Sequence, residues 1–398
     1  MNKKPNAIKQ IGGNVGFGMN KSRGQHLLKN KQIIEDIVKK SGLTPSQIVL
    51  EIGPGTGNLT DLLLDKSKFV YAVEIDVRMI SQLIKRFSAS ENYNKLKIIQ
   101  GDVLKINPLP AFDLCIANIP YQISSPIVFK LLSHRPMFKC AVLLVQKEFA
   151  MRLIAKPNSE FYCRLSANVS LLAKCDHIIK VGKNNFNPPP KVDSSVVRIE
   201  PIFNIPNINY IEWDGLLRIC FSRKNKTLGA IFKQKKIVNF MYKLYKEFLI
   251  YNNNFNITDE NIKLKDNSNN IEQLFKEDDY NIDDKYNSDD ELDNKKNNTD
   301  LDCEFKENIS DDEHDIINNS KLKKKMFNKN KNLFNTKISN NENNEEFEKF
   351  KLEIKNILSV EVYDGCNSSF SDSRAVKLNN DNFLRLLNCF NQKGIHFK

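Results

Sequence analysis

The chain has 398 residues and a net charge of +12, unevenly spread, since residues 1–250 carry +20 and residues 251–398 carry −8. This length can bury the cores of two modest domains, and so basic a first half favours a polyanionic partner over a merely soluble basic protein. Eight cysteines without a CxxC spacing argue against a metal site, and the missing long apolar run argues against a membrane span or signal peptide, so we expect a soluble intracellular protein.

From about residue 30 to residue 202, short apolar runs alternate with helical patterns. The runs are nearly continuous in apolar residues, as expected of strands that are covered on both faces. Strand candidates lie at 48–53, 69–76, 96–102, 113–119, 140–146, 177–181 and 195–200, and helix candidates lie between them at 31–40, 59–66, 77–87 and 126–134. This alternation predicts a doubly wound, Rossmann-like α/β sheet.

The first strand candidate runs into a glycine-rich turn, VLEIGPGTGNLT (49–60). Gly53, Gly55 and Gly57 let the backbone turn sharply and approach a ligand without interference from a Cβ atom. In a doubly wound sheet, a turn after the first strand borders the ligand crevice. The spacing is GxGxG and not the GxGxxG of dinucleotide sites, which favours S-adenosylmethionine over NAD; a plain strand–helix turn is the alternative.

Two acidic residues end the next two strand candidates at the same edge of the predicted sheet. Glu74, 21 positions after Gly53, can accept hydrogen bonds from both hydroxyls of a ribose. Asp102, in QGDVL, can accept one from an adenine amino group. The alternative for Asp102 is a helix N-cap or turn aspartate, and the two roles are compatible.

The fourth strand candidate ends in the tetrapeptide Asn118, Ile119, Pro120 and Tyr121. An adenine amino nitrogen is a poor nucleophile, so its methylation requires hydrogen-bond acceptors around it, which the Asn118 side chain and the Ile119 carbonyl can supply. Pro120 stiffens the turn, and the Tyr121 ring offers a stacking face worth about 1–3 kcal/mol for a flipped base. The alternative is an ordinary turn beside a core aromatic.

Helical, basic and aromatic sequence follows from about 207 to 250, with its densest basic run in SRKNKT (222–227). Asn, Asp, Lys and Glu then dominate residues 252–344, which predicts a disordered insertion. Helical periodicity returns at 347–360 and 381–397. We therefore predict a small helical C-terminal domain whose two parts pack together around the insertion.

Together these motifs resemble the rRNA adenine dimethyltransferases that modify two adjacent adenosines in a hairpin near the 3′ end of small-subunit rRNA, most closely the eukaryotic branch. The resemblance covers about residues 20–250 and 350–398. It is carried by GQHLLKN (24–30), LEIGPGTGNLT (50–60), GDVLK (101–105), ANIPYQISSPIVFKLL (117–132), FNPPPKVDSSVVRIEP (186–201) and GIHF (394–397).

The resemblance implies an S-adenosylmethionine-dependent enzyme that methylates the N6 amino group of adenosine. It also implies that Gln25, His26 and Leu28 line the cofactor site, and that Phe186 covers the face of the target adenine opposite Tyr121. One departure is Ile119, where this branch commonly has leucine; since only the backbone carbonyl acts there, the chemistry should survive. The long Asn/Asp insertion is the other departure.

The resulting organisation is a flexible arm (1–20), a class I methyltransferase domain (21–205), and a helical domain (206–251 and 345–398) around the insertion (252–344). Expected partners are small-subunit rRNA and pre-ribosomal particles, without a membrane, and RNA contacts are expected at Arg223, Lys224 and Lys226. The expected state is a monomer. The expected location is the nucleus or nucleolus, with cytoplasm or an organelle as the alternative. Two other functions stay open: a ribosome-assembly factor that acts by binding, and a DNA adenine methyltransferase.

Overall fold

The computed structural model describes residues 26–255, 340–362 and 368–397. The predictions made for Gln25, for the N-terminal arm and for most of the 252–344 insertion lie outside these residues.

A seven-stranded sheet forms the centre of the first domain, in the order β4-β3-β2-β5-β6-β9-β7. The strands from β2 to β6 run parallel, whereas β9 lies antiparallel between β6 and β7. A separate antiparallel pair joins β1 to β8. The strand bounds are β1 Leu27–Leu28, β2 Ile48–Ile52, β3 Phe69–Glu74, β4 Leu96–Gln100, β5 Leu114–Asn118, β6 Cys140–Gln146, β7 Ala173–Val181, β8 Phe186–Asn187 and β9 Ser194–Pro201.

Helices connect the parallel strands and form the C-terminal part. Asn30 caps the first helix by accepting from the backbone of Gln32 and Ile33, and Gly42 ends that helix in the left-handed conformation. The helix bounds are α1 Lys31–Ser41, α2 Asn58–Lys66, α3 Val77–Phe87, α4 Ser124–Ser133, α5 Lys147–Ile154, α6 Arg164–Leu172, α7 Tyr210–Phe221, α8 Leu228–Phe232, α9 Lys235–Phe255, α10 Asn340–Leu358 and α11 Asn380–Asn391.

The central strands β2, β5 and β6 are buried on both faces, which explains their continuous apolar runs. Val49 and its neighbour Leu50 are both fully buried but belong to different hydrophobic clusters. Successive strand side chains point to opposite faces, so each strand contributes to both clusters. The predicted doubly wound α/β fold is confirmed.

A third hydrophobic cluster holds the C-terminal helices together. It includes Trp213 and Phe232, which precede residues 256–339 in the sequence, and Phe350 and Phe390, which follow them. Tyr162, from the first domain, also belongs to this cluster, and its hydroxyl donates to the carbonyl of Leu378 in the C-terminal part at 3.0 Å. None of the helices in the described parts of the chain is long and apolar enough to cross a membrane.

Candidate active site

The glycine-rich turn lies between β2 and α2, at the carboxyl edge of the sheet. Gly53, Gly55 and Gly57 all have positive φ angles, of 66°, 57° and 83°. A Cβ atom at Gly55 would lie 2.6 Å from a methyl carbon of Leu27, and one at Gly57 would lie 2.7 Å from the Phe87 ring. The turn therefore requires glycine both for its backbone conformation and for the close approach of its neighbours.

Glu74 ends β3 directly beside this turn. One carboxylate oxygen accepts from the Asp76 amide at 2.9 Å and the other from the Gly55 amide at 3.3 Å. Burial raises the pKa of Glu74, while these amide hydrogen bonds act in the opposite direction. Each oxygen keeps a further lone pair, so the carboxylate can still accept from two hydroxyl groups.

Asp102 follows β4, the parallel neighbour of β3, so the two acidic residues lie at adjacent strand ends. One oxygen of Asp102 accepts from the Leu104 amide at 3.0 Å, which makes Asp102 a turn aspartate. Its other oxygen has no such bond among the described residues. The turn role and the predicted role toward an adenine amino group therefore remain compatible.

Asn118 ends β5 and faces the glycine turn. Its side-chain amide nitrogen donates to the His26 carbonyl at 2.8 Å, which leaves the side-chain oxygen available as an acceptor. A Cβ atom at Gly53 would lie 3.8 Å from the Asn118 carbonyl oxygen, so the two motifs meet. Ile119 is buried, and its amide donates to the Leu144 carbonyl at 3.1 Å, which holds this strand end in place.

Tyr121 begins a short 3-10 turn after Pro120 and lies half-buried at the same edge. Its hydroxyl hydrogen-bonds with the Ser194 hydroxyl at 2.7 Å, and burial raises its pKa. The His26 ring stacks on the Tyr121 ring with centroids 5.7 Å apart and an interplanar angle of 28°. The nitrogen Nδ1 of His26 bonds to the Pro188 carbonyl at 2.9 Å, so His26 links the tyrosine to the proline-rich loop.

The Phe186 ring was expected to cover the target adenine opposite Tyr121, but in the structure it is not open to the site. It is 1% exposed and lies in the same hydrophobic cluster as Leu28 and Val196. The reason is the β1–β8 pairing, which places Phe186 opposite Leu28 and turns both side chains into the core. Stacking of Phe186 on a target base stays a prediction, and it requires the ring to become uncovered.

The sequence reading missed Glu51, which lies in β2 two residues before the glycine turn. Glu51 is 1% exposed, one of its oxygens has no hydrogen-bond partner, and burial together with the nearby negative charge of Glu74 raises its pKa to about 8. The available signal was an acidic residue within an otherwise apolar strand. Gly53, Leu28, Asn118 and Glu51 all border one narrow cavity of about 40 Å³.

The predicted RNA contacts lie in the turn between α7 and α8, and none of them borders the cavity at the glycine turn. Arg223 and Lys226 are exposed and Lys224 is half-buried, and the Lys226 amide donates to the Arg223 carbonyl at 2.9 Å. No group of three or more His, Cys, Asp or Glu side chains within the described ranges could hold a metal ion.

Comparison with known proteins relates this site to one family. A model described as ribosomal RNA adenine dimethylase matches residues 16–273. A ribosomal RNA small subunit methyltransferase from Arabidopsis thaliana is 58% identical over 231 residues, which are 58% of this chain and 65% of the relative, just under two thirds of its length. A probable dimethyladenosine transferase from Dictyostelium discoideum is 57% identical over 249 residues, 62% of this chain and 79% of the relative.

A solved structure extends this similarity beyond the sheet domain. The crystal structure of a dimethyladenosine transferase from Plasmodium falciparum is 35% identical and superposes with a TM-score of 0.63. That comparison covers 94% of this chain and all of the other.

Proposed function

The chain belongs to the ribosomal RNA adenine dimethylase family, and on that premise we propose that it transfers methyl groups from S-adenosylmethionine to the N6 amino groups of two adjacent adenosines in a hairpin near the 3′ end of small-subunit rRNA. The resemblance to the eukaryotic branch is confirmed by its relatives. The observation that carries the proposal is the meeting of two motifs, because the glycine turn at Gly53 lies against the backbone of Asn118.

The residues around the turn suit S-adenosylmethionine, which supplies a methyl group on a positively charged sulfur when bound. Gly53, Gly55 and Gly57 present backbone without side chains, and Glu74 keeps acceptor capacity for a ribose. Asp102 has an oxygen for the adenine amino group. The Leu27 side chain lies over Gly55, where a Cβ atom would come within 2.6 Å of it.

Asn118 and Ile119 act on the target amino group. The Asn118 amide nitrogen is held by the His26 carbonyl, so its oxygen is directed to accept a hydrogen bond from the attacking nitrogen. The Ile119 carbonyl provides the second acceptor. Two acceptors build electron density on the nitrogen as it attacks, and the proton leaves once the nitrogen has become cationic, so no strong general base is needed.

Tyr121 holds the extruded base. Its hydroxyl is fixed by Ser194, so the orientation of the ring is set before the base arrives. His26 now stacks on this ring, and a base that takes the same face must displace the imidazole.

We extend the proposal to the biological setting. The enzyme acts as a monomer on pre-ribosomal particles in the nucleus or nucleolus and takes part in the biogenesis of the small subunit. The strongly basic first 250 residues support a large RNA partner.

The deciding experiment is methyl transfer from labelled S-adenosylmethionine to purified immature small subunits, followed by mass-spectrometric mapping of the modified bases. We expect two dimethyladenosines in one hairpin. The Asn118→Ala variant should lose methylation but retain RNA binding, and its failure in cells would separate catalysis from an assembly role. Transfer to duplex DNA in preference to the hairpin, or no transfer to either, would refute the proposal.

A further inference from the structure

A second cavity, of about 380 Å³, lies in the C-terminal domain between α8, α9 and α10. Its floor is apolar and includes Phe232, Val238, Ile354 and Leu358, each at most 5% exposed. We call it the C-terminal groove. Its size falls in the range of roughly 300–1,000 Å³ that is typical of ligand pockets.

Four lysines surround the groove: Lys233, Lys235, Lys351 and Lys355. All four are exposed. Lys351 pairs with Glu348 at 2.7 Å, and its ammonium group lies 4.4 Å from the centre of the Phe347 ring. No carboxylate among the described residues pairs with the other three. An apolar floor with a cationic rim fits an acidic peptide that carries apolar anchors.

The chain itself supplies such a peptide. The helices α9 and α10 line the groove, and the 84 residues that connect them include residues 256–320, with a net charge of −14. Within this stretch, IEQLFKEDD (271–279) places Ile271, Leu274 and Phe275 at positions i, i+3 and i+4. Three consecutive acidic residues then follow, Glu277, Asp278 and Asp279. This spacing matches apolar anchors that enter a groove from one face.

The connection is long enough to reach. The groove lies at the start of α9, next to Lys235 and Val238, whereas the connecting chain leaves from the other end of the helix at Phe255. The helix of 21 residues spans about 30 Å. The 15 residues between Phe255 and Ile271 can span up to about 50 Å, so the peptide can return to the groove without strain.

We propose that residues 271–279 dock in the C-terminal groove of the same chain. Leu274 and Phe275 occupy the apolar floor, and Glu277, Asp278 and Asp279 face the lysine rim. Tethering gives the peptide an effective concentration of about millimolar, so even a weak contact is populated. RNA would satisfy the lysines but has no aliphatic side chains for the floor, and it serves as a competing outcome below.

The test uses the full chain and a zero-length reagent that couples carboxylates to amines, with mass spectrometry of the products. We expect cross-links from Glu277, Asp278 or Asp279 to Lys233, Lys351 or Lys355, with a yield that does not change on tenfold dilution. The double variant Leu274→Asp, Phe275→Asp should lower that yield at least fivefold. Ile316→Asp, Ile317→Asp, in the same connection, is the matched control and should leave the yield unchanged.

Three results would overturn the proposal. One is that the groove lysines couple only to carboxylates outside 271–279, or to none, where coupling of Lys351 to its ion-pair partner Glu348 is expected in every variant and is not counted. Another is a yield that falls in proportion to dilution, which would mean docking between two copies. The third is that the groove lysines cross-link to RNA under ultraviolet light and that the double variant Lys351→Glu, Lys355→Glu lowers RNA affinity. In that case the Leu274→Asp, Phe275→Asp variant and the Ile316→Asp, Ile317→Asp variant would both give the cross-link yield of the wild type.

Discussion

The hydroxyl groups of Tyr121 and Ser194 lie 2.7 Å apart, although 73 positions separate them in the chain. Ser194 begins β9 and is 1% exposed, so its hydroxyl is held rigidly by the sheet. Tyr121 begins the 3-10 turn that follows β5. The bond therefore fixes the tilt of the tyrosine ring, and we predict that Ser194 positions this ring for the target base.

Replacing Ser194 with alanine should lower kcat/KM about two- to tenfold, because a typical hydrogen bond contributes roughly 0.5–1.5 kcal/mol. Tyr121→Phe should give a loss of similar size, and the double variant should lose no more than either single variant, since both remove the same bond. Ser195→Ala is the matched control. Ser195 is equally buried, but as the next residue along β9 its side chain points to the opposite face of the sheet. Additive losses in steady-state methylation assays would count against the positioning role.

The sheet could be predicted from the sequence because its signals are local. Continuous apolar runs located the parallel strands, and the prediction for 140–146 agrees with β6 at both ends. The small strands β1 and β8 gave no such signal, because each has two residues and they are about 160 positions apart. The helix α6 was also missed, since its buried residues cover most of its surface and leave no clear amphipathic face.

The site residues, too, could be predicted only where their signal is local in the sequence. Gly53, Glu74 and Asn118 could be named because each ends a predicted parallel strand, and those ends meet at one edge. Ser194 could not, because its partner is fixed only by the tertiary position of β9. The burial of the Phe186 ring could not be predicted either, since a motif gives the residue but not the direction in which its ring points.

Gly55→Ala should lower the affinity for S-adenosylhomocysteine more than tenfold. The added methyl would meet Leu27 at 2.6 Å, and the backbone has a φ of +57° that alanine adopts only at a cost of about 1–2 kcal/mol. Gly42→Ala is the control, because Gly42 has a φ of +70° with no atom near its Cβ position and lies at the end of α1. Calorimetry should show unchanged affinity for Gly42→Ala despite a similar loss of stability; equal affinities in the two variants would remove the turn from the donor site.

Glu51 should make stability depend on pH. Its pKa is raised from the ordinary value of 4.5 to about 8, so the folded protein holds this proton over a range in which the unfolded chain releases it. The contribution is complete below about pH 4.5, and stability falls as the pH rises toward 8. Glu51→Gln lacks this titration. Between pH 5 and pH 8.5 its free energy of unfolding should therefore fall by a few kcal/mol less than that of the wild type.

Urea denaturation across this pH range measures the effect of Glu51. Glu148→Gln is the control, since the Glu148 side chain is 68% exposed and pairs only at the surface with Arg152. Its pH profile should match that of the wild type. Parallel profiles for the wild type and Glu51→Gln would mean that Glu51 is ionised in the folded protein.

Reversing Arg223, Lys224 and Lys226 to glutamate should weaken binding of the RNA hairpin and flatten its salt dependence. Each lost phosphate contact lowers the slope of log K against log salt by about one, so the slope should fall by up to about three if all three residues touch the backbone. Affinity for the methyl donor should not change, because none of the three residues borders the cavity at the glycine turn. The triple reversal of the exposed Lys66, Lys68 and Lys85 makes the same change in net charge and separates a local contact from general attraction. If both triple variants lose affinity and slope equally, the α7–α8 turn contributes only to the overall field and does not lie in the interface.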